Sequence, residues 1–429
     1  MNSLTEPKSQ VAATPMVYYQ CFLAIAAILV FFTKLDIYLQ NRGFILPLHW
    51  MIGFLFVSFP LFLSLLYRLD SLSKPVIIAS LAYITLSLIS IIIQPQLPKL
   101  QYLEDQYRTI IFLWLMLAIF AYHPLVAKCT KLTALGVTLL NVVLFIYEFL
   151  NPMAFYVEQI APGRSSGFYA DSNTAGTSLI IGMILTLDLI KPKYRLFYAL
   201  LVFIGVASTF SRGAIVCWFI AVGFLLLRSA IPRYQLPLLG IFLVTLIIIL
   251  STQLRNLAYL QNAQGDKLLR DDTLARIEFI LDPTAQRDDS KASRITHLED
   301  AWQKFANRPF VGNGLGAGEN NATVSQTGIA QRSHNTYLDF MVEFGFLGGF
   351  IFPAVLFASI YHAAGKFRQQ AIAFLLLFMT NGLFSHTLMS EFCSLVSYAM
   401  MTNLARHSSE SASEPVFKPD NFLYQNSEI

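Results

Sequence analysis

Charge is scarce in this chain of 429 residues: only 13% are Asp, Glu, Lys or Arg, against about 25% in a soluble domain. With 55% hydrophobic residues, the chain has too little polar surface to fold in water, and an integral membrane protein is expected. Cysteine is sparse as well. Three of the four, Cys21, Cys217 and Cys393, fall inside apolar segments, and Cys129 sits in a short loop beside Lys128; neither a disulfide nor a zinc site is expected. The formal charge of +4 is scattered between apolar segments and forms no basic tract, which excludes nucleic acid as a partner. The first sixteen residues, MNSLTEPKSQVAATPM, lack a charged leader followed by an apolar core, so the first span is expected to remain in the mature protein. There is no HExxH, DxD or P-loop motif, which argues against a zinc peptidase, a metal-dependent nucleotide-sugar transferase and an ATPase. No metal and no cofactor is expected.

What the chain has instead is a succession of apolar segments. Crossing about 30 Å of hydrocarbon takes roughly twenty helical residues. Segments of that order fall at 16–33, 44–66, 75–93, 109–124, 131–151, 173–190, 194–210, 213–230, 236–254, 346–364, 370–387 and 390–405. The expected fold is an all-α polytopic integral membrane protein with about twelve transmembrane helices and one large, partly helical periplasmic loop. Lysine and arginine in the short loops set orientation. Eleven of them, from Lys74 to Arg406, share the side of the N-terminus, against six opposite, from Lys34 to Arg212. The N-terminus of this multi-pass protein is therefore expected in the cytoplasm, which puts the loop 255–333 outside, in the periplasm if the cell is a Gram-negative bacterium. The organisation expected is nine spans in 1–254, a periplasmic loop with amphipathic helices in 255–333, three spans in 334–405, and a polar cytoplasmic tail in 406–429.

The loop 255–333 carries ten basic and ten acidic residues. It has no net charge with which to attract an anion, so any anion must be held by particular arginines. Asp289 or Ser290 can cap a helix that runs to Asn307, where Pro309 and the glycines of VGNGLGAG stop it. At about 100° per residue, Ile295, Leu298, Trp302 and Phe305 form its apolar stripe, Arg294 lies near that stripe and His297 points to water. The GNGLGAG run is expected to be a flexible turn.

Four basic or titratable positions gather on the outer face by topology alone: Arg164 in GRSSGFYADSN, Arg212 in the turn TFSRGA, Arg294, and His334 in QRSHNTYLDFMVEFGFLGGF. Bland alternatives exist for each. Arginines at a membrane border snorkel to headgroups, Arg294 suits an ordinary helix surface, and His334 suits a hydrogen-bonded helix start. Arg212 is harder to place that way, because Ser211 and Gly213 make a tight turn without a cation. If Ser333 caps a helix that begins at His334, the positive helix end and Arg332 disfavour the imidazolium. A neutral ring can take a proton from a hydroxyl, while flanking arginines hold a diphosphate through bidentate bonds. Glu343 and Glu391 are expected to be salt-bridge partners or a second base.

In this order and setting, SRGA, SRITHLEDAWQKFANRPFVGNGLG and HNTYLDFMVEFGFLGG resemble the signature of the bacterial O-antigen ligase and O-antigen polymerase superfamily. The likeness covers roughly residues 164 to 350. It implies a polytopic glycosyltransferase that moves a glycan from undecaprenyl diphosphate onto an acceptor hydroxyl at the periplasmic face, without nucleotide sugar or metal. For the ligase the acceptor is the lipid A core oligosaccharide. The resemblance implies catalytic roles for His334, Arg212 and Arg294, and substrate-binding roles for Arg164, Arg332, Asn335 and Tyr337, with membrane lipids as neighbours. A polymerase using the same donor is the near alternative; a protein O-oligosaccharyltransferase and a lipid or solute transporter are more distant ones.

Overall fold

Some helix starts in this chain are marked by polar side chains that take up a free backbone N–H. A computed structural model describes residues 15–67, 73–93, 100–121, 123–151, 154–155, 164–169, 171–242, 244–245, 289–318 and 332–413. Among them every regular element is helical. In chain order these are α1 (Pro15–Ala27, continued by a π turn, Ile28–Phe32), α2 (Leu35–Asn41), α3 (Pro47–Val57), α4 (Phe59–Tyr67), α5 (Lys74–Ile93), α6 (Leu100–Ile119), α7 (Pro124–Leu150) and α8 (Ser172–Thr186). They continue with α9 (Arg195–Ser208), α10 (Arg212–Leu227), α11 (Asp289–Asn307), α12 (Thr336–Phe344), α13 (Ile351–Ile360), α14 (Phe367–Asn381) and α15 (Phe392–Ser413). Asp171, Ser211 and Asn335 cap α8, α10 and α12 by accepting from the N–H of Thr174, Ala214 and Leu338, at 2.9, 3.3 and 3.1 Å. A cap of this kind contributes about 1 kcal/mol.

Among the described residues three stretches, Pro15–Phe32, Lys74–Ile93 and Pro124–Leu150, are long and apolar enough to cross a membrane. Large apolar side chains such as Phe22, Phe56, Ile92, Phe197 and Leu227 face outward, an arrangement that suits hydrocarbon and not water. The expected ninth span, 236–254, lies largely outside the described residues, as do most of the loop 255–333 and most of the tail.

The centre of the bundle is α8. It is apolar on every side and every residue from Ala175 to Thr186 is buried, packed among α7, α9, α10 and α14, as expected of a helix with no face left for solvent. Small residues let its neighbours approach closely. A Cβ on Gly176 would meet that of Ala214 at 2.7 Å, and one on Gly182 would overlap Thr138. A second anchor is aromatic: Phe112 stacks on Phe392 at 4.1 Å, with Phe31 edge-on to both, which ties α1 and α6 to the start of α15.

Two expectations need correction. The buried face of α11 is His297, Ala301 and Phe305, whereas Ile295, Leu298 and Trp302 are exposed. The small Ala301 permits close contact with Leu338 and Val342 of α12, so packing was decided by fit at that residue and not by the widest apolar stripe. The glycine run is also no free turn. Asn313 N and Gly314 N donate to Val342 O and Glu343 O at 2.7 and 2.9 Å, and Phe346 N donates to Pro309 O at 2.7 Å. The run is a strap that satisfies the C-terminal carbonyls of α12, with Gly312 at φ +73° where a Cβ would strike Glu343 O.

Gly182→Val is expected to destabilise the fold by about 1–3 kcal/mol through overpacking against Thr138, seen as a lower thermal midpoint of the detergent-solubilised protein. Adding Thr138→Ala is expected to recover part of the loss. Equal midpoints for Gly182→Val and wild type would contradict the close α7–α8 contact.

Candidate active site

Polar groups from distant parts of the chain meet at one end of the helices, around a cavity of about 250 Å³. Its walls come from the start of α8 (Asp171, Asn173, Thr174, Thr177, Ser178), from His334, and from the loop between α14 and α15 with Phe384, Ser385, His386, Thr387 and Glu391. The backbone of His334 is left-handed, at φ +55°, an uncommon state for a residue with a side chain. Its neighbours impose it. Ser333 Oγ donates to Asp339 Oδ1 at 2.5 Å and accepts from Asn335 N at 3.2 Å, and Thr336 donates from N to Gly382 O and from Oγ1 to Ser385 O, at 2.9 and 2.6 Å. Strain held in this way is typical of functional positions. The ring of His334 stands edge-on to that of His386, centroids 4.9 Å apart.

The helix beyond His334 is capped by Asn335 and begins at Thr336; Ser333 does not cap it. Ser333 instead spends its hydroxyl on Asp339. His334 therefore precedes the cap and is aimed by its left-handed backbone, so the helix-end argument for a neutral ring does not apply.

An ion pair lies at this end. Lys34, left-handed at φ +56° just past the π turn, reaches Glu391 Oε1 at 3.3 Å. Thr387 Oγ1 donates to the same oxygen at 3.0 Å, and Thr174 Oγ1 lies between Asp171 Oδ2 (3.0 Å) and Glu391 Oε2 (3.2 Å). Burial disfavours the Lys34 ammonium, but the negative charges of Glu391 and Asp171 outweigh it and raise its pKa. His386 is pushed the other way, to about 3, by burial first and then by His334 and Arg332. It stays neutral at physiological pH.

Arg164 is drawn to the same corner. Its Nε donates to Thr209 O at 3.2 Å and its Nη2 to Asn173 Oδ1 at 3.3 Å, and Ser211 Oγ donates to that same Asn173 oxygen at 2.8 Å. Arg212, the first residue of α10, thus stands one residue from a contact with the cavity wall. Gly213 abuts Phe384, where an added Cβ would sit 3.6 Å from its Cβ. Arg294 falls on α11, but its side chain lies outside the described residues. Arg332 lines a neighbouring cavity and not this one. Asn335 is the helix cap, and the Tyr337 hydroxyl donates to Met379 O at 2.7 Å. GRSSG at 163–167 has the G-x-S-x-G spacing of a hydrolase elbow, yet Ser165 is buried with its hydroxyl donated to Phe145 O at 2.9 Å, which removes it as a nucleophile.

Sequence reasoning missed His386, Asp171, Asn173 and Lys34. His386 was hidden because a span drawn over 370–387 swallowed it, whereas α14 ends at Asn381; the polar run NGLFSHT was the available signal. Asp171 and Asn173 stood within the quoted RSSGFYADSN, where Asp followed by Ser, Asn and Thr is a capping pattern. Nothing local marks Lys34. Glu391 did prove to be an ion-pair partner, of lysine.

Residues 197–352 match a protein family described as O-antigen ligase. The matched segment contains Arg212, Arg294, Arg332 and His334. No curated protein matches the chain.

Asp339, beneath His334, is buried, and burial pushes its carboxyl up to about 6 against the opposing pull of the Ser333 bond and Arg332. The folded state holds this proton more tightly than the unfolded chain, where Asp titrates near about 3.9. The resulting stabilisation is complete below about pH 4 and is lost as the pH rises through about 6, a change of about 2–3 kcal/mol. Asp339→Asn is expected to flatten the dependence of the thermal midpoint on pH between about 4 and 7. An unchanged slope in that variant would assign the effect elsewhere.

Proposed function

Residues 197–352 place the chain in the O-antigen ligase and polymerase superfamily, and we propose that it acts as the ligase, moving a polysaccharide from undecaprenyl diphosphate to a sugar hydroxyl of the lipid A core oligosaccharide. Members of that superfamily are glycosyltransferase-type enzymes. The observation that carries the proposal is His334, an imidazole locked in a left-handed backbone in a polar cavity at one end of an apolar bundle, beside a second imidazole that stays neutral. A base needs that kind of fixed aim toward an acceptor hydroxyl.

In the proposed reaction the acceptor oxygen attacks the anomeric carbon, its proton passes to His334, and the bond from that carbon to the diphosphate oxygen breaks with inversion. Undecaprenyl diphosphate leaves. Arg212 and Arg294 balance the charge on the leaving diphosphate, which is stable enough as an anion to depart without a general acid. Arg164 holds the turn that bears Arg212 through Thr209 O and Asn173. Asn335 and Tyr337 fix the aim of His334 through the cap and through Met379. The site faces the periplasm of a bacterial inner membrane in this scheme, consistent with the lysine and arginine bias of the loops. The ligase is favoured over the polymerase by a single long polar segment late in the chain, 255–333, against the short 152–172.

His334→Ala, present at normal membrane levels, is expected to lower transfer by about 10²–10⁴-fold. The readout is the lipopolysaccharide gel profile of a strain lacking the chain and rescued with either form. Wild type is expected to restore the polysaccharide ladder on the core and His334→Ala to leave undecaprenyl-linked polymer accumulating. A deletion strain whose core carries one repeat unit would make the protein a polymerase, and full transfer by His334→Ala would remove the histidine from the mechanism.

A further inference from the structure

We infer that a second cavity, on the far side of His386 and Thr387 from the first, binds the anionic part of the acceptor oligosaccharide; this rests on the glycosyl transfer proposed above. The cavity measures about 260 Å³, and Tyr83, Tyr102, Arg108, Arg332 and Glu343 are among its lining residues. His386 and Thr387 line both cavities. With the His334 ring 4.9 Å from that of His386, a saccharide seated here is one side chain away from the base.

The lining matches a charged sugar and not a prenyl chain. Arg108 and Arg332 come from different walls, α6 and the segment before α12, and planar guanidinium groups bind phosphate or carboxylate through paired hydrogen bonds. Arg108 Nη2 already contacts Asp105 Oδ1 at 2.6 Å, but both side chains are over 40% exposed. Exposed pairs of this kind hold weakly, so an incoming anion can replace Asp105. Glu343 shares the lining, and its Oε1 accepts from Gly316 N at 3.1 Å. Tyr102 supplies a flat apolar face with a polar tip, the complement of a pyranose ring with its C–H face and hydroxyl edge, while Tyr83 is packed edge-on against Phe340 and Phe344. Tyr102 is also held from behind: Gly316, at φ +83°, is seated so closely on its ring that a Cβ there would collide with it. The strap that anchors α12 thus also sets one wall of this cavity.

Binding separates this inference from the reaction. The full chain in nanodiscs is titrated with a delipidated phosphorylated core oligosaccharide, with the same oligosaccharide after phosphatase treatment, and with undecaprenyl diphosphate. Arg108→Ala and Tyr102→Ala are each expected to weaken binding of the phosphorylated oligosaccharide about tenfold or more, with Arg108→Lys intermediate and undecaprenyl diphosphate unaffected. Binding that survives phosphatase yet still depends on Arg108 would assign the anion to a sugar carboxylate. Wild-type affinity in Arg108→Ala and Tyr102→Ala, or equal loss of both ligands, would overturn the assignment. Arg108-dependent binding in a protein that never transfers glycan to the core would instead remove the reaction and leave the cavity assignment standing.

Discussion

The close approach of α8 to its neighbours is the constraint on which the rest depends. In hydrocarbon, helices gain little from burying apolar surface against each other, and association relies on tight packing at small residues. Gly176 against Ala214 brings the starts of α8 and α10 together, and Gly182 against Thr138 fixes α8 on α7. The same contacts determine where Asp171 and Asn173 stand relative to Ser211 and Glu391. The geometry of the polar end is therefore a consequence of packing deeper in the apolar bundle.

At that end, several polar side chains are held by contacts between distant segments. Glu148 accepts from the N–H groups of Ser166 and Gly167 at 2.7 and 2.6 Å, Asn173 takes donors from Arg164 and Ser211, and Lys34 is matched with Glu391. Removing one partner of a buried pair leaves an uncompensated charge, which is costly where little water reaches. Among the described residues four without a glycine's freedom have a left-handed backbone, and Lys34, Phe210 and His334 all belong to turns at this end. The strain they hold is repaid by the network, and it aims side chains that a relaxed helix start would point elsewhere.

His386 and Thr387 line both cavities, and in the proposed reaction that arrangement would let donor and acceptor meet without competing. One cavity is walled by the start of α8 and the other by α6, the glycine strap and Arg332. A neutral imidazole between them is compact and adds no charge to either side.

Much of the architecture was legible along the chain. Apolar runs marked helical segments and polar residues before them marked the starts of α8 and α10, while Arg164 and Ser211 meet at Asn173 and His334 meets His386 of the 382–391 loop. The first two follow from periodicity, hydropathy and capping, which are local properties. What the residue order left open was decided by contacts between distant segments. The cap at Asn335 won over Ser333 because Asp339 claims the serine hydroxyl, and α11 turned His297 inward because Ala301 fits closer to α12 than Trp302 does. Lys34 met a glutamate some 357 positions away, and Arg332 fell into a different cavity from its near neighbour His334. Hydropathy determines which segments are apolar helices; only packing in three dimensions decides where some of them end, which faces touch and hence which polar groups share a site.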